Sequence, residues 1–419
     1  MKLTKRLMVL LFVAVVILSF CTLAMAQTKL TWWVGSWKYE DGRAQRLVTE
    51  FQKTHPDIEI NMVPITWEGY YDKVMSALLS KNVPDIVMIP SAFSQAFVAT
   101  GSLLDVTDVL DEMGRDIFYP GPIEWTKFKG RDYGFPYRTE SYGLFFNQQM
   151  FKEVGLSGAP RTWDEVKEAA IKLTKDVNGD GIVDIYGMGV PLSMRTPEHA
   201  ASYFRWVLGS FGGDIVNEDA TKATANSKEA IAALQWFSDL FKAKAVAPSA
   251  LESDLDQIRR LFGAEKIAMQ MNAPFCVDVY SEEVPDLSYD VVTMPGLRPG
   301  EIGKSEALGW SIGISAFSKE KKAATEFIKF FLRPENDAWL TDALPGVRAA
   351  ANAQRFANEK TQVFLNQLNY TIGDISHPRI YMINEAVTRA LQRLYLGEKN
   401  VKTVANDLNK EIQKVLDKR

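Results

Sequence analysis

Hydrophobic positions along the chain switch between two periods. Residues 30–34 form an apolar run with the character of a strand, and Ala44, Leu47, Val48 and Phe51 then recur at i, i+3, i+4 and i+7, the stripe of an amphipathic helix. Ile58, Ile60 and Met62 alternate as a strand, Tyr71, Val74, Met75 and Leu78 return to the helical period, and 86–89 is the continuous run of a buried strand. This order predicts an α/β fold with an open, largely parallel sheet. A second α/β region begins near 143–146. There Thr162 and Glu165 form a capping-box pattern behind Pro160, and Trp163, Val166, Ala170 and Leu173 mark the inner face of the helix they start. Ala230, Ala233, Leu234, Phe237 and Phe241 make a further stripe. Strand character returns at 310–314, helical character at Ala324, Phe327, Ile328 and Phe331, and helices are predicted over 378–396 and 402–416. Two α/β units of similar size follow, with a cleft where they meet.

Composition narrows the picture without changing it. The 419 residues, 47% hydrophobic and 24% charged, make two or three folding units of a soluble globular protein, and 2 Cys exclude a disulfide scaffold. With 48 Lys and Arg against 52 Asp and Glu and no long basic block, there is no electrostatic footprint for a phosphate backbone, so nucleic acid is not an expected partner.

The first residues predict the compartment. Lys2, Lys5 and Arg6 precede twelve apolar residues at 7–18, and Ala24-Met25-Ala26 supplies a small-x-small cleavage signal. The apolar run falls short of the roughly 18 residues that span a bilayer, so 1–26 reads as a secretory signal peptide and the mature chain begins at Gln27, in the periplasm or outside the cell. The competing anchor is a lipid on Cys21, although Phe20 stands where a lipoprotein box wants a small residue. After cleavage only Cys276 remains, and one thiol forms no internal disulfide.

The most specific local motif is Asp176, Asn178, Asp180 and Asp184 around Gly181, with the carbonyl of Ile182. Oxygens at positions 1, 3, 5, 7 and 9 and a glycine at 6 suit a structural Ca2+, the one cofactor the sequence points to, although Gly187 replaces the closing Glu of an EF-hand. An Asx-rich turn without an ion is the other reading. Gly309-Trp310-Ser311-Ile312-Gly313 matches a nucleophile elbow, and Asp342, Asp374 and His377 follow in hydrolase order. An elbow needs a helix starting at the serine, whereas strand character continues through 312–316, which favours a buried strand. His55, His199 and His377 lack metal-site spacing. Aromatics are 11% of the chain, and Trp37, Trp67, Phe93, Phe275 and Trp310 fall at predicted strand ends or in Gly/Pro-rich loops. They serve either core packing or stacking on sugar faces, and loops at the carboxyl ends of parallel strands are where open α/β sheets bind ligands.

On these landmarks the chain resembles the extracellular solute-binding proteins of ATP-binding-cassette importers, in the sugar-binding group that includes maltodextrin-binding proteins: Leu30-Thr-Trp-Trp33, Phe51 to Pro56, Pro84-Asp85-Ile86, Gly134-Phe-Pro-Tyr137 on to Glu140 and Asn147, Pro160 to Glu165, Gly212-Gly213, Ala268 to Pro274, and Ala323 to Phe331. The resemblance covers essentially all of the mature chain. It implies a two-lobe periplasmic-binding-protein fold of type II, with lobe one at 27–139 plus 293–333, lobe two at 140–292 plus 334–419, and hinges near 137–141, 292–295 and 333–337.

Residue by residue, the resemblance implies ligand contacts at Trp37, Lys38 and Asp41, with Glu40 between them, in the loop after the first strand, and at Trp67, Ser91 and Phe93 beyond the next two strands. Glu140 in the hinge matches a position that binds sugar hydroxyls, and Tyr203 and Phe275 match positions that stack an aromatic ring. Asn272, Trp310, Arg348, Arg379 and Tyr381 are looser matches. Arg138 stands where smaller residues are common and Phe275 where Trp is frequent, so a monosaccharide, an oligosaccharide, a cyclitol or a charged glycan all fit the expectation. The implied function is a monomeric, non-catalytic receptor that closes on a sugar or sugar-like solute and delivers it to an ABC permease, touching the membrane only through that permease or a lipid on Cys21. A secreted carbohydrate-active hydrolase is the alternative.

Overall fold

The structure, a computed structural model, describes residues 27–418 except Glu68, Glu218, Asp374 and Ser376, and leaves out the side chains of Trp37 and Pro120. The expected signal segment 1–26 with Cys21, the Trp37 side chain and Asp374 lie outside the described residues. No helix among the described residues is long and apolar enough to cross a membrane.

In chain order, the strands that build the two sheets are β1 (Thr28–Gly35), β2 (Ile58–Ile65), β3 (Ile86–Pro90), β4 (Phe135–Glu140), β5 (Gly143–Asn147), β6 (Met269–Asn272), β7 (Tyr289–Val292), β8 (Leu308–Ile314) and β9 (Leu344–Pro345). The helices used below are α1 (Arg43–Thr54), α2 (Tyr70–Ser80), α3 (Ser91–Ala99), α4 (Trp163–Leu173), α5 (Pro197–Ser210), α6 (Lys228–Lys242), α7 (Phe275–Glu283), α8 (Lys321–Phe331), α9 (Pro334–Leu340), α10 (Ile380–Tyr395) and α11 (Val401–Leu416). Six strands join in the order β9-β4-β8-β3-β1-β2, and a separate sheet has the order β6-β5-β7. β1 runs parallel to β2 and β3, while β8 is antiparallel to both β3 and β4. The carboxyl ends of β1, β2, β3 and β4 therefore share one edge.

Each sheet carries its own core. Trp32, Phe51, Ile86, Ile312, Phe327 and Phe331 belong to the first, in which Phe327 is edge-on to both Trp32 and Phe51. The second is built on Leu144, Phe146, Trp163, Trp206, Phe237 and Leu391, the inner faces of α4, α5, α6 and α10 against one face of the three-stranded sheet. Because side chains alternate across a strand, Phe145 points to the opposite face and joins a smaller cluster with Phe262 and Tyr280. The Thr162 hydroxyl caps α4 by accepting from Glu165 N at 3.2 Å, but Glu165 reaches one residue past the box to Arg161 N at 2.6 Å.

The lobe boundaries differ from the expected ones. Ala338, Leu340, Val347, Ala350 and Phe356 pack in the first core, and β9 pairs with β4, so 338–356 builds the first unit rather than the second. Leu344 and Pro345 complete the hydrogen bonds of an edge strand that would otherwise be open. Conversely, Met294 packs in the second core and Ser305–Glu306 pairs with Thr371–Ile372, so the chain returns to the first sheet only at β8. On α2 the buried face is Tyr70, Val74, Ala77 and Leu78, and Tyr71 is exposed.

Phe327→Ala deletes a ring packed between two other rings in the first core. Large-to-small core changes of this kind cost about 3–5 kcal/mol, so urea unfolding is expected at a clearly lower midpoint than wild type, with the fold retained in dilute buffer.

Candidate ligand-binding site

Register places a row of residues across the shared edge: Pro90 opposes Trp310, Trp310 opposes Arg138, and Arg138 opposes Pro345. Gly309 permits the close approach of β8 to β4. Its φ is +154°, and a Cβ there would stand 2.1 Å from the Arg138 carbonyl oxygen. Its N–H donates to the Ser91 hydroxyl at 3.1 Å, which joins β8 to the start of α3.

Aromatic rings occupy one end of this row. Trp67, 52% exposed on the loop after β2, stacks on Phe93 at 5.7 Å and 14° and lies edge-on to Trp310 at 5.5 Å. Tyr70 supports both indoles from below, stacked on Trp67 at 6.0 Å and edge-on to Trp310 at 5.6 Å. Rigid rings braced in this way present a flat apolar face at little entropic cost.

Charges occupy the other end. Arg138 donates from Nε to Asp342 and from Nη2 to Glu140, both at 2.5 Å, and Lys38 donates to Asp342 at 2.9 Å and to the Leu340 carbonyl at 2.7 Å. Burial lowers the Lys38 ammonium to about 8 against the opposing pull of Asp342. Burial alone would raise Asp342, but Arg138 and Lys38 hold it well below the usual carboxylate range. Glu140 also accepts from Tyr142 at 3.4 Å. Asp342, Arg355 and Phe356 from the first unit line a cavity of about 120 Å³ together with Pro274, which leads into α7 of the second unit, and Asp278 on that helix. The site is thus a cleft between two cores, apolar and aromatic on one side and rich in acceptors at the crossing strands.

The expected residues fall in different places. Trp67, Ser91, Phe93, Trp310, Arg138 and Glu140 stand together at the sheet edge. Phe275, partly buried at the start of α7, and the half-exposed Tyr381 on α10 belong to the second unit. Arg379 caps the amino end of α10, and Asp41 bonds Arg43 just beyond the first loop. Arg348 donates to the Phe118 carbonyl at 2.8 Å and lies over the Tyr119 ring, which makes it a packing residue of the first unit.

Three expected contacts are corrected. Tyr203 is fully buried, and its hydroxyl exchanges hydrogen bonds with the backbone of Met271, so its ring stacks inside the core beside Trp206. Asn272 is buried with its amide turned to Gln270 and Ala273 N. Lys38 is 1% exposed and committed to Asp342 and Leu340, so it supports the site from behind rather than touching a ligand.

The glycine-serine motif proves to be sheet packing. Ser311 is buried in mid-strand and donates to the Ile89 carbonyl at 3.3 Å, while a Cβ at Gly313 would meet Ile89 at 2.5 Å. Asp342 is ion-paired with Lys38 and Arg138, and His377 accepts from Arg379 N. His199 is neutral at physiological pH because burial lowers it to about 4.

In the 176–184 loop, Asp176 accepts from Gly179 N and Gly181 N, Asn178 from Asp180 N, Asp180 from Ile182 N, and Asp184 from Val177 N. Its oxygens are engaged by the turn itself, and among the described residues no three His, Cys, Asp or Glu side chains gather as a metal site. Two residues escaped the sequence reading: Asp342, whose only signal was the hydrolase pattern, and Glu198 at the start of α5, a carboxyl raised by burial that lies near Tyr381.

This cleft between two α/β lobes, crossed by connecting strands and edged with aromatic rings, defines a two-lobe solute receptor. The chain belongs to the bacterial extracellular solute-binding proteins, whose family model matches residues 37–338. It is 22% identical over 377 residues to a binding protein of Brucella abortus, covering 88% of each chain. It is 23% identical over 320 residues to the diacetylchitobiose-binding protein DasA of Streptomyces coelicolor, covering 75% of this chain and 71% of that one. A solute-binding protein of Thermotoga lettingae bound with α-D-tagatose shares the fold with a TM-score of 0.78 at 24% identity, over 93% of this chain and 100% of that one.

Tyr203→Phe separates core from site. It leaves two buried Met271 backbone groups without the hydroxyl, a loss of about 1–3 kcal/mol. The thermal midpoint is expected to fall while ligand affinity stays at the wild-type value, and calorimetric titration beside a melt reads both.

Proposed function

We propose that this protein is the substrate-capturing component of an ABC importer, which binds a sugar or sugar-like solute outside the cytoplasmic membrane and presents it to a permease without altering it. The observation that carries the reading is Trp67, an indole left half-exposed yet braced by Phe93, Tyr70 and Trp310 at the shared carboxyl edge of the first sheet. A stacked ring of this kind binds the C–H face of a pyranose, and Glu140 and Arg138 beside it bind hydroxyls, while the buried Ser91 holds Gly309 N behind them. Relatives that bind diacetylchitobiose and tagatose support the same ligand class. Closure of the second lobe, bringing Phe275, Tyr381 and Glu198 over the ligand, supplies the differential affinity that moves an open–closed equilibrium.

The test is a thermal-shift panel of mono-, di- and oligosaccharides and cyclitols on protein refolded free of co-purified solute. A sugar at 100 times its dissociation constant adds about 2.7 kcal/mol and raises the midpoint by a few degrees. One sugar is expected to do so and to be recovered unchanged, and Trp67→Ala is expected to weaken it about tenfold. Conversion of the sugar would establish a hydrolase instead, and a flat panel would sink the sugar reading.

A carboxylate oxygen that accepts one loop N–H keeps a lone pair for a cation, so the oxygen spacing at 176–184 and the left-handed Gly181, φ +86°, support a calcium ion on this loop, remote in role from ligand capture. Millimolar Ca2+ is expected to raise the thermal midpoint of wild type and not of Asp180→Asn. An unchanged wild-type midpoint overturns this.

A further inference from the structure

Both cations at the charged end of the site converge on a single atom. Lys38 Nζ and Arg138 Nε donate to the same Asp342 oxygen, Oδ1, at 2.9 and 2.5 Å, which leaves Oδ2 outside these bonds. The partners differ sharply in access. Lys38 is 1% exposed and also holds the Leu340 carbonyl, whereas the Asp342 side chain is 33% exposed and lines the cavity shared with Pro274 and Asp278 of the second lobe. Arg138 in turn opposes Trp310, whose ring meets Trp67, so this corner is continuous with the aromatic face.

We infer that Asp342 is a ligand-contacting, specificity-determining residue of the cleft, which accepts a solute hydroxyl through Oδ2, and that Lys38 is the positioning residue behind it. An ionised carboxylate accepts hydrogen bonds and donates none, so this corner selects a hydroxyl donor. Asp342, Glu140 and Asp278 are balanced here by Lys38, Arg138 and Arg355, so this corner has no cationic surplus to hold a uronate or sugar phosphate, and the preferred ligand is an uncharged polyol. The inference rests on the sugar-capture reading for its ligand, but the clamp itself can be judged without one.

Lys38 links the clamp to pH. The charged groups facing it are Asp342, Arg138 and Arg43, with Asp337 of α9 behind them, a carboxyl that burial pushes well above the usual range. Its ammonium is held charged chiefly by Asp342 against burial and is lost as pH rises through about 8. Affinity is thus full below pH 8 and declines above it.

The first arm follows the titration of Lys38 by NMR of the ligand-free protein carrying lysine labelled with carbon-13 at Cε, the resonance being assigned with Lys38→Met. Wild type is expected to turn over near 8, and Asp342→Asn about one unit or more lower, since an opposite charge at this range is worth one to three units. Coincident curves overturn the clamp. If Asp342→Asn does not fold, Arg138→Gln serves instead, with the turnover expected to rise because a neighbouring cation is removed. The second arm titrates N,N′-diacetylchitobiose, D-tagatose and maltose calorimetrically. Asp342→Asn is expected to weaken the sugar that binds by about tenfold or more with its unliganded fold intact, and Asp342→Glu to recover part of that loss. Lys38→Met is expected to bind more weakly at pH 7 and to lack the alkaline decline, which a merely structural lysine would not control. Wild-type affinity in Asp342→Asn overturns the contact. If none of the three sugars binds wild type, the ligand reading and the contact fail together, while the Lys38 titration still decides the clamp.

Discussion

Arg138 is a guanidinium placed where the chain leaves the first sheet, largely buried between β8 and β9. An isolated charge in such a place costs several kcal/mol, and the structure offsets this with two carboxylates at different crossings. Glu140 lies two residues on, in the first connection to the second lobe, and Asp342 lies after α9. The need to neutralise one buried cation therefore ties separate connections to a common point. The second lobe repeats the arrangement. Arg205 is buried against Glu306, which precedes β8, and against Asp214. Trp206 adds a bond to Glu306 at 3.1 Å.

The two hubs are joined. Tyr142 donates to Glu140 and stacks on Trp206 at 4.3 Å, so an unbroken series of polar and ring contacts runs from Lys38 through Asp342, Arg138, Glu140 and Tyr142 to Glu306. Breaking either hub would strand a buried charge, so the proposed closure would turn on backbone rotation at the crossings while the hubs stay intact. A hinge built from charge pairs has a further property. It places ionised acceptors at the floor of the cleft at no additional desolvation cost, because burial of Arg138 already requires them there.

Most of the architecture was legible because period and burial agree locally. The helix at 43–54 and the strand at 86–90 announce themselves through side chains that all face one core. Where a pattern misled, a longer-range contact had overridden it. Tyr71 and Tyr70 are both aromatic, and only the hydrogen bond from Tyr70 to the Met88 carbonyl decides which one turns inward. The resemblance implied a stacking role for Tyr203, yet its hydroxyl is consumed by the Met271 backbone. The glycines of the serine motif are required by Arg138 and Ile89 on neighbouring strands, which no local spacing reveals. Asp342 was passed over for the same reason. Its partners are 304 and 204 residues away, and its chemistry appears only when the sheet brings Lys38 and Arg138 to it.

The division of labour across the cleft follows from these constraints. The first lobe holds the exposed indole and the ionised acceptors, both prepared before any solute arrives, because Trp67 is braced by three rings and Asp342 by two cations. Preorganised groups lose little entropy on binding, so the first encounter falls to this lobe. The second lobe offers Phe275, Tyr381 and the desolvated Glu198 on α7, α10 and α5, elements anchored in a separate core. On the proposed closure their contacts would be made only in the closed state. If Trp67 and Asp342 take the solute as proposed, affinity for its class would reside with them, and the energy that drives closure with the second lobe. Substitutions on the two sides should separate the two quantities, since a ligand shifts an equilibrium only through contacts that differ between its end states.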